Sequence, residues 1–313
     1  MLKLKLMGWP RNYHISEFFN FIMHTPVLLD QVANMVPKKG IHIDATVGAG
    51  GHLKKVCELG KYTKIVAIDR DLGAINIAKQ NLGDCDTNII YVCDQFRNLN
   101  KILKDTGIQN VNSILFDLGV SSIQLDSSGD LSGRGFSFMR DEPLLMTMSG
   151  GAKLTAREIV NEWGESTIAD ALYHLADETN AKRIARAICQ ARKLKSIETT
   201  LELVEIIKTV SPKFSKTNPA TKTFQALRML VNEELQNIEE GLDAAWQHLV
   251  PGGRILVISF HSIEDRIVKQ KFKQFIQMGG AHLINKKPIV PARDEVLKNK
   301  RSRSAKLRVI EKL

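Results

Sequence analysis

The stretch that decides the fold is Ile41-His-Ile-Asp44-Ala-Thr-Val-Gly48-Ala-Gly50-Gly51-His52. Its first residues have the apolar character of a strand, its glycines mark a tight turn, and residues 51–60 have the pattern of a helix. A glycine-rich turn in this position lets the backbone approach a ligand and offers it the free N–H groups of the helix N-terminus. We therefore predict a nucleotide-like ligand at this turn. The alternative is a left-handed turn that binds nothing.

The spacing of these glycines disfavours two common ligands. Leu53 stands where the dinucleotide fingerprint GxGxxG needs its last glycine, and the turn lacks the GK[ST] ending of a P-loop. NAD and ATP are therefore weak candidates, and a nicotinamide dehydrogenase is a distant alternative.

Strands and helices alternate along the chain on both sides of the turn. Further strands are predicted at residues 64–68, 88–92, 113–116, 254–260 and 306–310, and helices at 51–60, 71–81 and 262–277. Such alternation requires right-handed crossovers and a mostly parallel sheet. Helical periodicity alone prevails over residues 155–210, and one long helix is predicted over 220–249. The pattern indicates an α/β domain interrupted by a helical insertion.

Polar or aromatic residues follow the next two predicted strands. Asp69 ends the second strand, where a carboxylate can accept hydrogen bonds from both hydroxyls of a ribose, whereas Asp71 is better placed to cap the following helix. Phe96 follows the third strand and can stack on an adenine, and Asp94 is equally suited to a turn. Together with the glycine-rich turn, these features predict S-adenosylmethionine (AdoMet) as the ligand.

Asp117 ends the fourth predicted strand. Ligands of open α/β sheets bind outside the carboxyl ends of the strands, so this residue is expected near the transferable methyl group. Its carboxylate can accept the hydrogens of an exocyclic amine and aim the nitrogen lone pair at the methyl carbon. The alternative is a buried aspartate that only caps a turn.

The charge of the chain favours a phosphate-rich partner. Lys and Arg number 44 against 34 Asp and Glu, which leaves a net charge of +10. Ten basic and three acidic residues lie within 286–313, and residues 182–195 form a second basic cluster. Basic patches bind nucleic acid through counterion release, although a solvated helix face and a floppy tail give the same pattern.

Hydropathy and cysteine usage suggest a cytoplasmic protein. The longest apolar runs fall far short of the ~20 residues that span a bilayer, and no secretory apolar segment forms near the N-terminus. The four cysteines form no CxxC pair, and we expect them to be small buried hydrophobic side chains.

Six motifs in order resemble the bacterial 16S rRNA (cytosine-N4)-methyltransferase family, also called RsmH or MraW. They are Asp44–His52, Asp117-Leu-Gly-Val-Ser-Ser122, Arg134-Gly-Phe-Ser-Phe-Met-Arg140, Lys182-Arg-Ile-Ala-Arg-Ala187, Thr223-Phe-Gln-Ala-Leu-Arg228, and Pro251-Gly-Gly-Arg254 with Ser259-Phe-His-Ser-Ile-Glu-Asp-Arg266. The resemblance implies a class I AdoMet-dependent methyltransferase fold, Rossmann-like and mostly parallel, with a helical insertion. It also implies methylation of N4 of cytosine 1402 in the decoding centre of the small ribosomal subunit. The AdoMet contacts that it implies are Gly50, Gly51, His52, Asp69, Phe96, Asp117 and Gln124, with Asp117 as the catalytic residue.

We expect three parts in the chain. Residues 1–22 form a disordered extension, residues 23–125 and 220–313 the AdoMet-binding methyltransferase domain, and residues 126–219 the inserted helical domain that recognises RNA. A homodimer is compatible with this organisation, and a membrane association is not expected.

Two groups of residues are candidates for contact with RNA. Arg134, Phe136, Phe138 and Arg140 interleave cations with rings suited to stacking, although the rings could instead close the core beneath a loop. Lys182, Arg183 and Arg186 share one helix and could follow the RNA backbone.

Two further stretches complete the predictions. The family usually has Pro-Leu-Asp-Met-Arg-Met where this chain has Pro143-Leu-Leu145-Met-Thr147-Met148, so that an acid and a base are lost near the expected mouth of the site. Only one histidine lies near Ser262, Glu264 and Asp265, so we expect no metal site there and predict Ser262 as a helix N-cap with Asp265 completing the capping box. The competing functions are methylation of another RNA or of DNA, and an RNA-binding module without catalysis.

Overall fold

A seven-stranded sheet organises the protein. The computed structural model describes residues 26–83, 85–119, 133–148, 154–211 and 218–313. Within these residues the strand order is β3-β2-β1-β4-β5-β7-β6. The strands are β1 (Lys39–Asp44), β2 (Lys61–Asp69), β3 (Ile89–Cys93), β4 (Val111–Asp117), β5 (Leu249–Ser259), β6 (Ala281–Leu283) and β7 (Lys306–Lys312).

The sheet reverses its direction of growth between β1 and β4. β1 pairs in parallel with both β2 and β4, β4 pairs in parallel with β5, and β7 alone runs antiparallel to its neighbours β5 and β6. The crevice at the carboxyl ends of β1 and β4 is therefore the topological switch point, where open α/β sheets bind ligands. The arrangement confirms the predicted class I methyltransferase fold.

Helices cover both faces of the sheet and form a separate layer beside it. They are α1 (Leu29–Met35), α2 (Gly51–Leu59), α3 (Leu72–Asn81), α4 (Leu99–Asp105), α5 (Ala156–Glu162), α6 (Glu165–Ala176), α7 (Ala181–Ala191), α8 (Thr200–Val210), α9 (Thr221–Val231), α10 (Glu234–His248), α11 (Ser262–Gln277) and α12 (Arg293–Lys298). One face of the sheet packs against α4, α10 and α11, and the other packs against α1, α2 and α3. Because both faces are covered, β4 is buried along most of its length.

Helices α5 to α9 share a hydrophobic core of their own. Ile159, Ile168, Ile184 and Leu203 are fully buried in it. α5 and α8 each begin with a capping box, in which a threonine hydroxyl and a glutamate carboxylate exchange hydrogen bonds with the backbone. This core contains the predicted insertion, and it also contains α9, which the predicted boundary at residue 220 had placed in the methyltransferase domain.

The prediction of a single helix over 220–249 is wrong, because the helix is interrupted between α9 and α10. Glu233 adopts a left-handed φ of 50°. The side chain of Asn232 accepts a hydrogen bond from the backbone of Met148 at 2.9 Å and donates one to the carbonyl of Met146 at 2.8 Å. This contact with a distant segment fixes the bend, so that α9 packs with the helical layer and α10 with the sheet.

Three of the four cysteines are not the buried free thiols that we expected. Cys57 on α2 is bonded to Cys85, which follows α3, whereas Cys93 is exposed and Cys189 alone is a buried free thiol. The interpretation of all four as isolated small hydrophobic residues is therefore wrong. Their spacing of 28 residues has no motif that could reveal the pairing.

The predicted extension over residues 1–22 lies outside the described residues. Among the described helices, none combines the length and the hydropathy needed to cross a membrane.

Candidate functional site

A cavity of about 330 Å³ opens at the carboxyl ends of the central strands. Its walls come from the turns that follow β1, β2, β3, β4 and β5, and also from α9, α10 and the segments at residues 26–27 and 301. The first four walls were expected from the sequence. The others come from distant parts of the chain that only the fold brings to the site.

The glycine-rich turn has the geometry that its sequence predicts. Gly50 has a left-handed φ of 84° and precedes the first residue of α2. A Cβ on Gly51 would lie 2.3 Å from Cγ of Pro26, so this position also needs glycine for close packing. The turn therefore presents its backbone and the N-terminus of α2 to the cavity.

Asp69 joins the end of β2 to this turn. Its two carboxylate oxygens accept hydrogen bonds from the backbone N–H groups of Gly48 at 2.9 Å and Asp71 at 3.0 Å. Burial raises the pKa of Asp69. Asp71 accepts from the N–H of Gly73 and caps α3, as predicted. Asp69 thus lines the cavity with a carboxylate held in place, as a ribose partner requires.

Phe96 lines the cavity from the turn after β3. Its ring makes an edge-to-face contact with Phe116 at 5.4 Å between centroids, and Gly241 on α10 leaves room for it. Arg97 anchors the same turn through hydrogen bonds to both carboxylate oxygens of Glu240, at 2.8 and 3.0 Å. The ring is therefore held rigidly at the place where an adenine is expected.

Asp117 ends β4 beside two other titratable residues, Asp44 and His52. Nδ1 of His52 lies 3.6 Å from Oδ2 of Asp117, and Nε2 of His52 donates to the carbonyl of Val27 at 2.9 Å. Burial and, secondarily, the carboxylate of Glu264 raise the pKa of Asp117 to about 7. Burial also raises the pKa of Asp44 to about 7 and lowers that of His52.

One oxygen of Asp117 is available for a ligand. Oδ1 is buried and has no hydrogen-bond partner among the described residues, although Asp117 lines the cavity. A buried acceptor without a partner is costly unless a ligand completes it. This atom, the glycine turn, Asp69 and Phe96 together fit AdoMet, with its nucleoside toward β2 and β3 and its methyl group toward β4.

A second set of side chains lies beyond Asp117, and sequence reasoning missed its place in the site. Arg228, Glu234, His261 and Glu264 all line the cavity. Arg228 donates to both oxygens of Glu234, at 2.8 and 2.9 Å. Ligand atoms of the two glutamates and His261 lie within 4.8 Å of one another, so they have the spacing of metal ligands, but the guanidinium already neutralises Glu234.

The predicted cap of α11 is wrong by one residue. His261 is the N-cap, and its Nδ1 accepts a hydrogen bond from the N–H of Glu264 at 3.3 Å. Ser262 instead starts the helix and donates to Asp177, and Asp265 binds Arg308 at 2.6 Å. The error arose because an imidazole nitrogen can replace the usual cap oxygen, and because β7 provides a partner for Asp265.

The predicted RNA-contacting loop is partly used for packing. Phe138 makes an edge-to-face contact with Phe224 at 5.7 Å and packs on the helical core, whereas Arg140 is exposed. Phe136 is half-buried, and Arg134 donates to the carbonyl of Thr147 at 3.4 Å. Phe138 therefore also has a packing role, and RNA stacking stays a prediction for both phenylalanines, which are half-buried.

The basic residues of α7 form an exposed surface. Lys182, Arg183 and Arg186 line a groove of about 220 Å³ on the helical layer. Arg186 also lies 3.4 Å from Glu165, in a pair whose two side chains are largely exposed. The surface suits a phosphate backbone, and its RNA contact stays a prediction.

Three remaining positions are placed as follows. Gln124 lies outside the described residues. Leu145 and Thr147, where the family pattern has an acid and a base, are not among the described residues that line the cavity. They belong to a segment between the helical core, which Leu144 enters, and Asn232 at the bend.

Comparison with known proteins gives the family. The model of the MraW methylase family matches residues 21–313. The ribosomal RNA small subunit methyltransferase H of Sulfurihydrogenibium azorense is 44% identical over 279 residues, covering 88% of this chain and 94% of that protein. The protein of the same name from a Wolbachia of Drosophila simulans is 42% identical, covering 93% of this chain and 99% of that protein. The chain therefore belongs to the MraW methylase family and is an AdoMet-dependent methyltransferase, as its motifs and its cavity indicate.

Proposed function

We propose that this protein methylates N4 of cytosine 1402 in the 16S rRNA of the small ribosomal subunit. The observation that carries the proposal is the unpartnered, buried Oδ1 of Asp117 at the methyl end of the cavity. An exocyclic amine offers a hydrogen to such an acceptor. The relatives named as small subunit rRNA methyltransferases support the class of substrate.

The chemistry needs positioning more than activation. The cofactor supplies a methyl group on a sulfonium, which leaves as a neutral thioether when the amine attacks in line. Asp117 accepts one N4–H, which holds the nitrogen lone pair toward the methyl carbon at about 3–3.5 Å. As the N–C bond forms, the nitrogen becomes cationic and passes that proton to the carboxylate. His52 lies on the other side of this carboxyl group, with its Nδ1 3.6 Å from Oδ2.

The target base must leave its stack to reach this cavity. The α7 groove with Lys182, Arg183 and Arg186, together with Arg134, Phe136 and Arg140, provides cations and a ring on the helical layer. These residues fit a role in which the insertion grips RNA while the base enters the sheet crevice. Within the same proposal the helical layer forms the RNA-recognition domain.

The experiment is methyl transfer from labelled AdoMet to small ribosomal subunits that lack this modification, followed by nucleoside mass spectrometry and mapping of the site. We expect N4-methylcytidine at the decoding-centre cytosine. A label on another base or another position would exclude the proposed target. No transfer by a protein that binds AdoMet would favour an RNA-binding role.

The first variant to compare is Asp117→Asn, which keeps the shape of the side chain and removes the anionic acceptor. We expect its rate of transfer to fall by roughly 100-fold or more at unchanged fold, because the amine loses its proton acceptor. Cys189→Ser, distant in the helical core, serves as the control. Near-normal turnover of Asp117→Asn would contradict the assigned role.

A further inference from the structure

The structure shows a second buried polar atom without a partner in the same cavity. Nε2 of His261 is buried and makes no hydrogen bond within the described part of the chain. Oε1 of Glu264 lies 3.2 Å from Nε2 without the geometry of a hydrogen bond, and, against the effect of burial, the proximity of His261 favours a low pKa of Glu264. His261 lines the cavity, so a ligand bound there lies beside its ring.

The helix cap determines which proton His261 carries. Nδ1 accepts the N–H of Glu264, so it must present a lone pair, and the proton of the neutral ring therefore lies on Nε2. Oε2 of Glu264 accepts the backbone N–H groups of Phe260 at 2.8 Å and of His261 at 3.3 Å. These contacts hold the imidazole in one orientation, with an N–H donor available to the cavity.

His261 lies at the same end of the cavity as Asp117. Asp117 pairs with Ile258 across the β4–β5 ladder, and Gly119 packs against the ring of Phe260, with 3.5 Å between a Cβ at Gly119 and Cδ2 of that ring. His261 follows Phe260 directly, so the two loops that carry Asp117 and His261 are in contact. An acceptor and a donor without hydrogen-bond partners among the described residues thus line one cavity, beyond the ends of the neighbouring strands β4 and β5.

We propose that His261 is a specificity residue that donates its Nε2–H to N3 of the target cytosine while Asp117 accepts a hydrogen from N4. The inference rests on the proposed function. On the cytosine ring the N4 donor and the N3 acceptor are adjacent, and the pair of Asp117 and His261 complements this order. Uracil has the opposite order, an acceptor at O4 and a donor at N3, and is refused at both positions.

The contact at N3 also guides the chemistry. N3 carries the in-plane lone pair of the cytosine ring and competes with the amino group for an electrophile. A donor bound to N3 occupies that lone pair and leaves the amino nitrogen facing the methyl group. Arg228 supports the arrangement because its guanidinium is paired with the carboxylate of Glu234. Neither of these two charged groups then competes with Asp117 and His261 for hydrogen bonds to the base.

The test uses a variant that keeps the cap. Asn is a good N-cap residue, so His261→Asn retains an acceptor for Glu264 N–H, removes the imidazole Nε2–H, and has too short a side chain to place its amide N–H at the same position. His261→Ser is a second such variant. Ser262→Ala changes the next residue, which is exposed and not among the described residues that line the cavity, and is the control.

Methyl transfer is measured on subunits reconstituted with either cytidine or 3-deazacytidine at the target position. We expect His261→Asn to bind AdoMet normally and to lose about tenfold in kcat/KM on cytidine, the size of one hydrogen bond. The wild type should lose activity on 3-deazacytidine, and the variant should lose no further activity through that change. The difference in intrinsic reactivity between cytidine and 3-deazacytidine cancels in this comparison, because it is the same for both proteins.

Three results would overturn the inference. They are wild-type kinetics of both cap-retaining variants, equal effects of the analogue on wild type and variant, and a metal ion that copurifies with the wild type and is lost from His261→Asn. If the wild type forms no N4-methylcytidine on unmodified subunits, the proposed function fails first, before any variant is compared.

Discussion

At the scale of the residue, the site is defined by carboxylates that the fold buries. Asp44 is 1% exposed, and Asp117 has one oxygen without a partner among the described residues. Burial favours the protonated form of both residues, and it favours the neutral form of His52 beside them. Asp117, which must accept a proton during the proposed reaction, therefore has a pKa close to neutral pH.

The rate of methyl transfer should depend on pH through Asp117. Since the pKa of Asp117 is raised to about 7, the accepting carboxylate is fully formed only above that pH. We expect kcat/KM, measured at limiting AdoMet so that it reports the free enzyme, to rise between about pH 6 and 8. A profile that is flat across this range would show that the protonation state of Asp117 does not limit the reaction.

Asp44 should reduce stability at neutral pH. Its pKa is raised from 3.8 to about 7 in the folded protein, so the folded state binds the proton more tightly, and the free energy of unfolding falls as pH rises between these values. Asp44→Asn keeps the oxygen that accepts the N–H of Thr46. At pH 8 we expect this variant to be more stable by about 1–4 kcal/mol, with a much smaller difference near pH 4. Guanidinium unfolding at the two pH values measures this, and equal differences at both would contradict it.

At the scale of the element, short turns do the positioning. Each wall of the cofactor end is a turn at the carboxyl end of a strand, and each is tied to a neighbour, as Gly48 is to Asp69 and Arg97 is to Glu240. The hydrogen bonds of the sheet fix the end of each strand, and this restricts the movement of the turn that follows it. Preorganised turns of this kind reduce the entropy lost when a ligand binds.

Gly51→Ala should disturb the first of these turns. The added Cβ would lie 2.3 Å from Pro26, so α2 or the segment at residue 26 must move. We expect a loss of about 1–3 kcal/mol in stability, as for other overpacked sites, and weaker AdoMet binding in calorimetry. Gly83→Ala is the matched control, because its Cβ would find the nearest atom at 3.6 Å. Equal AdoMet affinity in the two variants would show that the turn tolerates the shift.

At the scale of the whole molecule, the core of the sheet, the core of the helical layer and the cavity have different roles. The sheet and its helices hold the cofactor, and the helical layer of α5 to α9 presents cations at its surface. The bend at Asn232 and Glu233 is where the chain passes from one core to the other. Arg228 and Glu234 lie on either side of this bend and both enter the cavity, so the target-base end draws residues from both cores.

Removal of charge from α7 should weaken RNA binding in a salt-dependent way. For Lys182→Gln/Arg183→Gln we expect lower affinity at low salt and a log–log salt slope smaller by about 1 for each phosphate that the variant no longer neutralises. Lys101→Gln/Lys104→Gln changes the net charge equally on exposed residues of α4 and is the control. Filter binding of 16S rRNA over a salt series measures both. Equal slopes for the two variants would place the RNA elsewhere.

Local patterns in the sequence determined most of the sheet, the glycine turn, and the cofactor end of the site. The strand-turn-helix pattern at residues 41–60 and the polar residues after successive strands are local signals, and strand ends meet at one edge of any parallel sheet. The predicted helix over 262–277 is confirmed at both ends. Such features are predictable because backbone periodicity and turn chemistry depend on near neighbours along the chain.

Only the tertiary structure decided the rest. The contact of His52 with Asp117, the bend at Glu233, the cap at His261 and the pairing of Cys57 with Cys85 each depend on residues far apart in sequence or on the choice between adjacent candidates. No local pattern encodes them, because they depend on packing between side chains that are distant in sequence and come together only when the cores form. For the same reason the shared cavity of Asp117, Arg228 and His261 emerged only from the fold, although each residue belongs to a motif in the sequence.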